Sequence, residues 1–218
     1  MKMNAILANS VAQRAFVLLS SVGVWFFSVT IFKPWVVGFY SDAITRLESG
    51  PRLFMNHAFV FSTPTAVVCL GWFLILKRLG LVDSISMTMS PQLFLRSMYW
   101  AIGIVVLTLV SAPLLGLEYG FHFSPWSLAG NFISNLSEEI IFRGFLLFAF
   151  WRAFGFKAVA VILSGIVFGL THEQYPVLIK VYIMGIGTLL SHLTSLEGNL
   201  LPAVIVHDVS DWILDLFL

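Results

Sequence analysis

Long apolar runs set the terms for any fold of this chain. They extend from about Ala15 to Phe32, His57 to Leu76, Met98 to Leu117, Leu128 to Phe150, Ala158 to His172, Val177 to Leu193 and Leu200 to Leu218. A helix that crosses a bilayer needs about 20 mostly apolar residues. Six segments meet or approach that length; the fifth does so by extending to Gln174, where Pro176 separates it from the sixth. Charged residues make up 11% of the 218-residue chain, against roughly 25% in a soluble domain. Too little polar surface remains to cover a water-facing globule. The sequence therefore predicts an all-α, polytopic transmembrane bundle of about seven helices.

One integral membrane domain accounts for residues 1–218. A net charge of +1 gives no sign of nucleic-acid binding. Cys69, the single cysteine, excludes an internal disulfide framework and reads as an inert core residue. The start "MKMNAILANSVAQRAFVLL" is basic and then apolar, but no small-residue cleavage site ends its apolar run, so it reads as a first membrane helix. In the segment between the first two helices, Trp35 and Tyr40 suit the headgroup level and Ser49-Gly50-Pro51 suits a turn. The stretch from Lys77 to Arg96 reads as a polar loop with a short amphipathic helix. With the N-terminus inside, Lys2, Arg14, Lys77, Arg78, Arg96, Arg152 and Lys157 are cytoplasmic, against Lys33, Arg46 and Arg52 outside. This bias predicts a cytoplasmic N-terminus.

The front half keeps its charges in loops, and the back half does not. Glu138, Glu139, Arg143, His172, His207, Asp208 and Asp211 all fall in predicted helices. Each ionised side chain at mid-membrane costs about 2.5 to 3.5 kcal/mol, so such a set must gather around a common interior. Helical spacing supports that. Asn131, Asn135, Glu138, Glu139 and Phe142 fall within about 100° of arc on the fourth helix. His207, Asp208, Asp211 and Asp215 do the same on the last, where His207 and Asp211 are four apart. On the fifth, Gly165, Gly169 and His172 share a face, so a neighbouring backbone can approach closely beside the histidine.

Each member also has a plainer reading. Glu139 and Arg143 fit a structural ion pair, His172 an interhelical hydrogen bond, and Asp215 a solvated interfacial position. His192 and Glu197 fall near a helix end and suit a wet surface, while Glu173 faces away from His172. The set taken together fits chemistry better. Adjacent carboxyls in low dielectric cannot both ionise cheaply, so the pair can act as base and then acid. A histidine to hold a water and a second group to stabilise an oxyanion complete the parts for amide hydrolysis.

Other intramembrane protease chemistries fit less well. "HEQYP" has Pro176 where the second histidine of H-E-x-x-H belongs. Ser164-Gly165 lacks the glycine of Gly-x-Ser-Gly, having Ile162 there, and Gly-x-Gly-Asp is absent. The order "EEIIFR", "FGLTH" and "HDVSD" resembles the three motifs of the CPBP family, the CAAX-protease and bacteriocin-processing intramembrane proteases: E-E-x-x-x-R, F-x-x-x-H and H-x-x-x-N/D. The approach "GNLLPAVIVH" is also similar to the run before the family's last histidine. The resemblance covers about Asn131 to Asp211, within a catalytic core of residues 124–218, and leaves residues 1–117 as variable N-terminal helices.

The resemblance implies that Glu138, with His172, activates the attacking water. Glu139 and Arg143 then support that site, and His207 and Asp211 stabilise the oxyanion, with Asn135 and Asp208 as further supporting residues. An ionised aspartate cannot donate to an oxyanion, so Asp211 is expected either to be protonated or to orient a donating His207. The family is often labelled metalloprotease. Zinc held by Glu138, His172, His207 and Asp211 is the alternative to a metal-free glutamate mechanism, which is the reading favoured here. The implied partner is a membrane-associated peptide or protein in the lipid bilayer of a prokaryotic plasma membrane: a CAAX peptide, a bacteriocin leader or a sorting tail. The rival class is a non-proteolytic immunity or binding factor, or a transporter using the same carboxylates as a proton relay.

Overall fold

The computed structural model describes residues 11–56, 62–82, 86–121 and 123–217. The basic start with Lys2, the beginning of the second expected helix at His57, and Leu218 lie outside the described residues. Helix α1 (Val11–Phe27) runs through a π-helical turn, Ser28–Phe32, into α2 (Lys33–Thr45), which is followed by α3 (Ser49–Met55) and α4 (Thr63–Arg78). Helix α5 (Pro91–Ser111) ends in a 3-10 turn, Ala112–Leu115. Helix α6 (Pro125–Glu139) continues through a second π-helical stretch, Ile140–Leu146, into α7 (Leu147–Phe154). Helices α8 (Lys157–Leu170), α9 (Val177–Glu197) and α10 (Leu201–Phe217) complete the bundle. Among the described residues there is no strand, only an isolated bridge between Ser86 and Asn199.

Phe26, Ile31, Phe39, Val67, Val106, Ile162 and Val181 remain exposed on the outside of six helices and the first π-helical turn. An apolar belt of that extent needs a covering, and a bilayer supplies it: the chain is an integral membrane protein. Each of the seven apolar segments overlaps a helix. By length and apolarity, however, three helical runs among the described residues suffice to cross a membrane, Val11–Ser41, Pro91–Leu115 and Val177–Glu197. The other helices are shorter, with 14 residues in α8 and 17 in α10, or spend length on charge, as the α6–α7 run does at Glu138, Glu139 and Arg143.

Two loop expectations are corrected. The break expected at Ser49-Gly50-Pro51 falls just before it, and these residues open α3. Proline is tolerated in a first helical turn because its missing N–H has no intrahelical partner there. Gly50 lies so near Trp126 that an added Cβ would come within 2.5 Å of the indole, so α3 rests on the start of α6. The stretch after Lys77 forms no amphipathic helix among the described residues, and Arg96 is already inside α5. Its backbone is used instead to fix the start of α10. Ser86 N–H donates to Gly198 O at 3.3 Å, and Leu200 N–H donates to Ser86 O at 3.1 Å. Asn199 Nδ2 donates to Thr88 O, while its Oδ1 accepts from Leu201 N–H at 3.0 Å. Gly198 has φ +60 and ends α9 in the left-handed conformation that glycine adopts without strain.

Two apolar cores hold the bundle. One joins α1, α4, the second π stretch, α7 and α8 through Val17, Cys69, Phe73, Ile141, Phe145 and Val161. The other joins α5, α9 and α10 through Ala101, Ile104, Leu190, Leu193, Ala203 and Val206. The tightest approach is between α8 and α9. A Cβ on Gly165 would overlap Thr188 Oγ1 and lie 2.5 Å from the Thr188 backbone nitrogen. One on Gly169 would overlap the Met184 side chain and lie 2.8 Å from Lys180 O. The glycine face expected beside His172 is therefore the seam of these helices. Gly165→Val should destabilise the protein by about 1 to 3 kcal/mol, whereas Gly185→Ala, where a Cβ meets nothing within 4 Å, should be neutral or slightly stabilising. Thermal melts in detergent separate the two, and equal melting temperatures would contradict this packing.

Candidate active site

A cavity of about 550 Å³ lies where the two cores meet. From α6 it is lined by Asn131, Ser134, Asn135 and Glu138, and from α10 by His207, Ser210, Asp211 and Asp215. Phe168, near the end of α8, and His172, in the turn beyond it, close one wall. Ile104 of α5 and Ile183 and Ile186 of α9 supply an apolar side. The cavity reaches the end of the bundle at Leu117, Gln174 and Tyr175. His172 is not helical as expected, because α8 ends at Leu170. Its Nδ1 lies 2.8 Å from Phe168 O. A carbonyl only accepts, so Nδ1 carries the hydrogen and the neutral ring keeps its lone pair on Nε2.

Adjacent residues on a helix diverge by about 100°, and the two glutamates do so. Glu138 is half-buried and faces the cavity; its Oε1 accepts from Ser62 Oγ at 3.0 Å and Ser134 Oγ at 3.5 Å. Glu139 is fully buried and does not line the cavity. Its Oε1 accepts from Arg143 Nη1 at 2.7 Å and from His207 Nδ1 at 2.8 Å. Arg143, also fully buried, donates from Nη2 to Gly187 O at 3.2 Å. His207 Nε2 lies 3.5 Å from Asp211 Oδ2, so the imidazole sits between two carboxylates.

Phe168 is the post around which these groups stand. The Arg143 guanidinium lies 4.3 Å from its ring centroid, within cation–π range. The rings of His172, Phe142 and His207 meet it at 4.7, 5.1 and 5.7 Å, each steeply tilted. Arg143 reaches this position from the π-helical stretch Ile140–Leu146, and such insertions are frequent at functional sites. Ser164 Oγ braces the same stretch by donating to Phe142 O at 2.8 Å, so this serine has a structural partner.

Of the residues singled out in the sequence, Glu138, Asn135, His172, His207 and Asp211 share the cavity. Glu139, Arg143 and Asp208 stand behind it, Asp208 being buried with Asn135 Nδ2 at 3.5 Å from its Oδ1. Asp215 is exposed, as expected, but is also tied to α6 by Asn131 Nδ2 at 2.5 Å and Ser127 Oγ at 3.0 Å. Glu173 and His192 are exposed, and Glu197 pairs with Arg96 at 3.0 Å. Sequence reasoning missed Ser62, which no spacing relates to Glu138, and the central place of Phe168, which its motif position could have suggested.

Zinc fits this arrangement poorly. Among the described residues no three histidine, cysteine, aspartate or glutamate side chains gather to hold one ion. Nδ1 of both histidines is bonded to a protein oxygen atom, which leaves Nε2 of each as the nitrogen that could reach an ion. The set Glu138, His172, His207 and Asp211 thus shares a cavity without forming a coordination sphere.

Residues 120–213 match the family model described as type II CAAX prenyl endopeptidase Rce1-like. No curated protein and no solved structure gives a significant match. The matched segment contains the cavity-lining residues of α6 and α8 and, on α10, His207, Ser210 and Asp211; Asp215 and α1 to α5 lie outside it. Over this segment the chain is similar to the CPBP family of CAAX-type intramembrane endopeptidases.

Proposed function

We propose that this protein hydrolyses a peptide bond near the C-terminus of a membrane-associated, CAAX-like substrate, in the cavity between α6, α8 and α10. The observation that carries this reading is that Glu138, His172, His207 and Asp211, from three separate elements, line one cavity. Glu138 is the base. It takes a proton from a water held with the help of the His172 Nε2 lone pair, and later returns a proton to the leaving amine. His207, in its charged form, donates through Nδ1 to Glu139 and through Nε2 into the cavity. There it stabilises the oxyanion that forms as the carbonyl is attacked.

Asp211 orients that imidazole rather than donating itself, which suits a carboxylate 3.5 Å from Nε2. Glu139 and Arg143 brace the site. Their paired charges fix the His207 ring, and Phe168 spaces Arg143 from both histidines. The apolar wall of Ile104, Ile183 and Ile186 suits a substrate whose flanks are themselves apolar. The cationic bias of the loops favours a cytoplasmic N-terminus.

Cleavage of a farnesylated, internally quenched CAAX peptide by the purified protein in liposomes tests these roles. Glu138→Gln, His172→Ala and His207→Ala should each lower kcat by about 100- to 10,000-fold, and full turnover by all three folded variants would refute the site. Glu139→Ala should act differently. By leaving Arg143 buried without its carboxylate it should cost about 3 to 5 kcal/mol of stability, seen as a lowered melting temperature. A Glu139→Ala variant as stable as the parent would contradict its place in the brace. Strong chelation should leave cleavage intact, with less than one zinc per chain in the active protein. Stoichiometric zinc lost together with activity would overturn the metal-free mechanism.

A further inference from the structure

Three helices of this protein carry a serine at the N-cap with a proline close behind it: Ser62-Thr63-Pro64 at α4, Ser90-Pro91 at α5 and Ser124-Pro125 at α6. A serine at this position ordinarily turns its hydroxyl oxygen to the free N–H groups of its own first turn. Ser90 Oγ does so, accepting from Leu93 N–H at 3.1 Å, and Ser124 Oγ accepts from Ser127 N–H at 3.2 Å. Ser62 does not cap its helix. Its hydroxyl is turned across to α6, where it donates to Glu138 Oε1 at 3.0 Å. The side chain is 9% exposed, so water competes weakly for that bond. A serine that forgoes its own cap for a carboxylate 76 residues away is placed for the carboxylate.

The surroundings hold that contact in register. Thr63 Oγ1 lies 3.0 Å from Ser137 Oγ, so consecutive residues at the start of α4 meet consecutive residues of α6. The positive end of α4, a helix of 16 residues, therefore sits beside Glu138, where a carboxylate is favoured. Ser134 adds a longer contact to the same oxygen at 3.5 Å. Both hydroxyls hold Oε1, which leaves Oε2 for the water.

We infer that Ser62 is a positioning residue for the catalytic carboxylate: by holding Glu138 Oε1 it aims Oε2 at the water to be activated. The inference rests on Glu138 being the base. It also gives the N-terminal half, outside the matched segment 120–213, a direct part in the reaction.

The test compares Ser62→Ala, Ser62→Thr, Ser90→Ala and Glu138→Gln in the full chain, in liposomes, with the farnesylated quenched CAAX peptide as probe. Ser62→Ala should lower kcat about 10- to 100-fold with KM changed by less than about twofold. Ser62→Thr, which keeps the hydroxyl, should restore most of the rate. Ser90→Ala, which loses a true cap, should lower the melting temperature and leave kcat unchanged. A wild-type kcat in Ser62→Ala, a loss confined to KM, or a threonine variant as slow as the alanine variant would overturn the inference. If Glu138→Gln keeps its turnover, the assignment of the base falls. If that variant is inactive while Ser62→Ala is unaffected, only the positioning role falls. Isotope-edited infrared spectra give a readout without substrate: the carboxyl band lost in Glu138→Gln should shift in Ser62→Ala and return in Ser62→Thr. A band unmoved by Ser62→Ala overturns the inference on its own.

Discussion

A carboxylate with no access to water, gripped on one oxygen by an arginine and a histidine, is the interaction on which the rest of this structure depends. Glu139 and Arg143 are both fully buried, and a buried ion carries a desolvation penalty of several kcal/mol unless its partners are well placed. The partners are Arg143 at 2.7 Å, His207 at 2.8 Å, and the Phe168 ring with its centroid 4.3 Å from the guanidinium, while Glu139 Oε2 and Arg143 Nε find no hydrogen-bond partner among the described residues. Arg143 also reaches Gly187 O on α9. One small polar knot thereby ties α6, the π-helical stretch, α8, α9 and α10 together. The glycine seam between α8 and α9 brings Gly187 and Phe168 close enough for the knot to close.

The knot also shapes the cavity proposed as the active site. With Glu139 turned inward, Glu138 is the only one of the two glutamates that faces the cavity. In the proposed mechanism its neighbour fixes His207, whose Nδ1 lies 2.8 Å from Glu139 Oε1. Fixed side chains in a water-poor site need little reorganisation as charge develops, which is where most electrostatic catalysis arises. The cavity faces the end of the bundle where α8 turns into α9 and α10 finishes. Its other side is aliphatic, so a peptide can present a polar carbonyl to one wall and apolar flanks to the other.

Much of this was legible in the sequence because it obeys local periodicity. The apolar runs marked the helices, the stripes on α6 and α10 marked the cavity walls, and Gly165 and Gly169 marked the seam. What escaped has no local signature. The π-helical stretch Ile140–Leu146 reads as ordinary helix, since one residue of extra winding leaves an apolar run unchanged. The divergence of Glu138 and Glu139 was hidden by a stripe drawn wide enough to hold both. Ser62 meets Glu138 only through packing of helices far apart in the chain. The helices from Lys33 to Met55 were obscured by Pro34 and Pro51, which mark helix starts here and not breaks.

Hydrolysis in this cavity requires that one carbonyl sit between Glu138 and His207. A structure of the protein with a peptide phosphinate, whose two oxygens imitate those of a tetrahedral intermediate, addresses it most directly. One oxygen should lie about 3 Å from Glu138 and the other about 3 Å from His207 Nε2. A phosphinate seated elsewhere, or bound here without contact to either residue, would contradict the account.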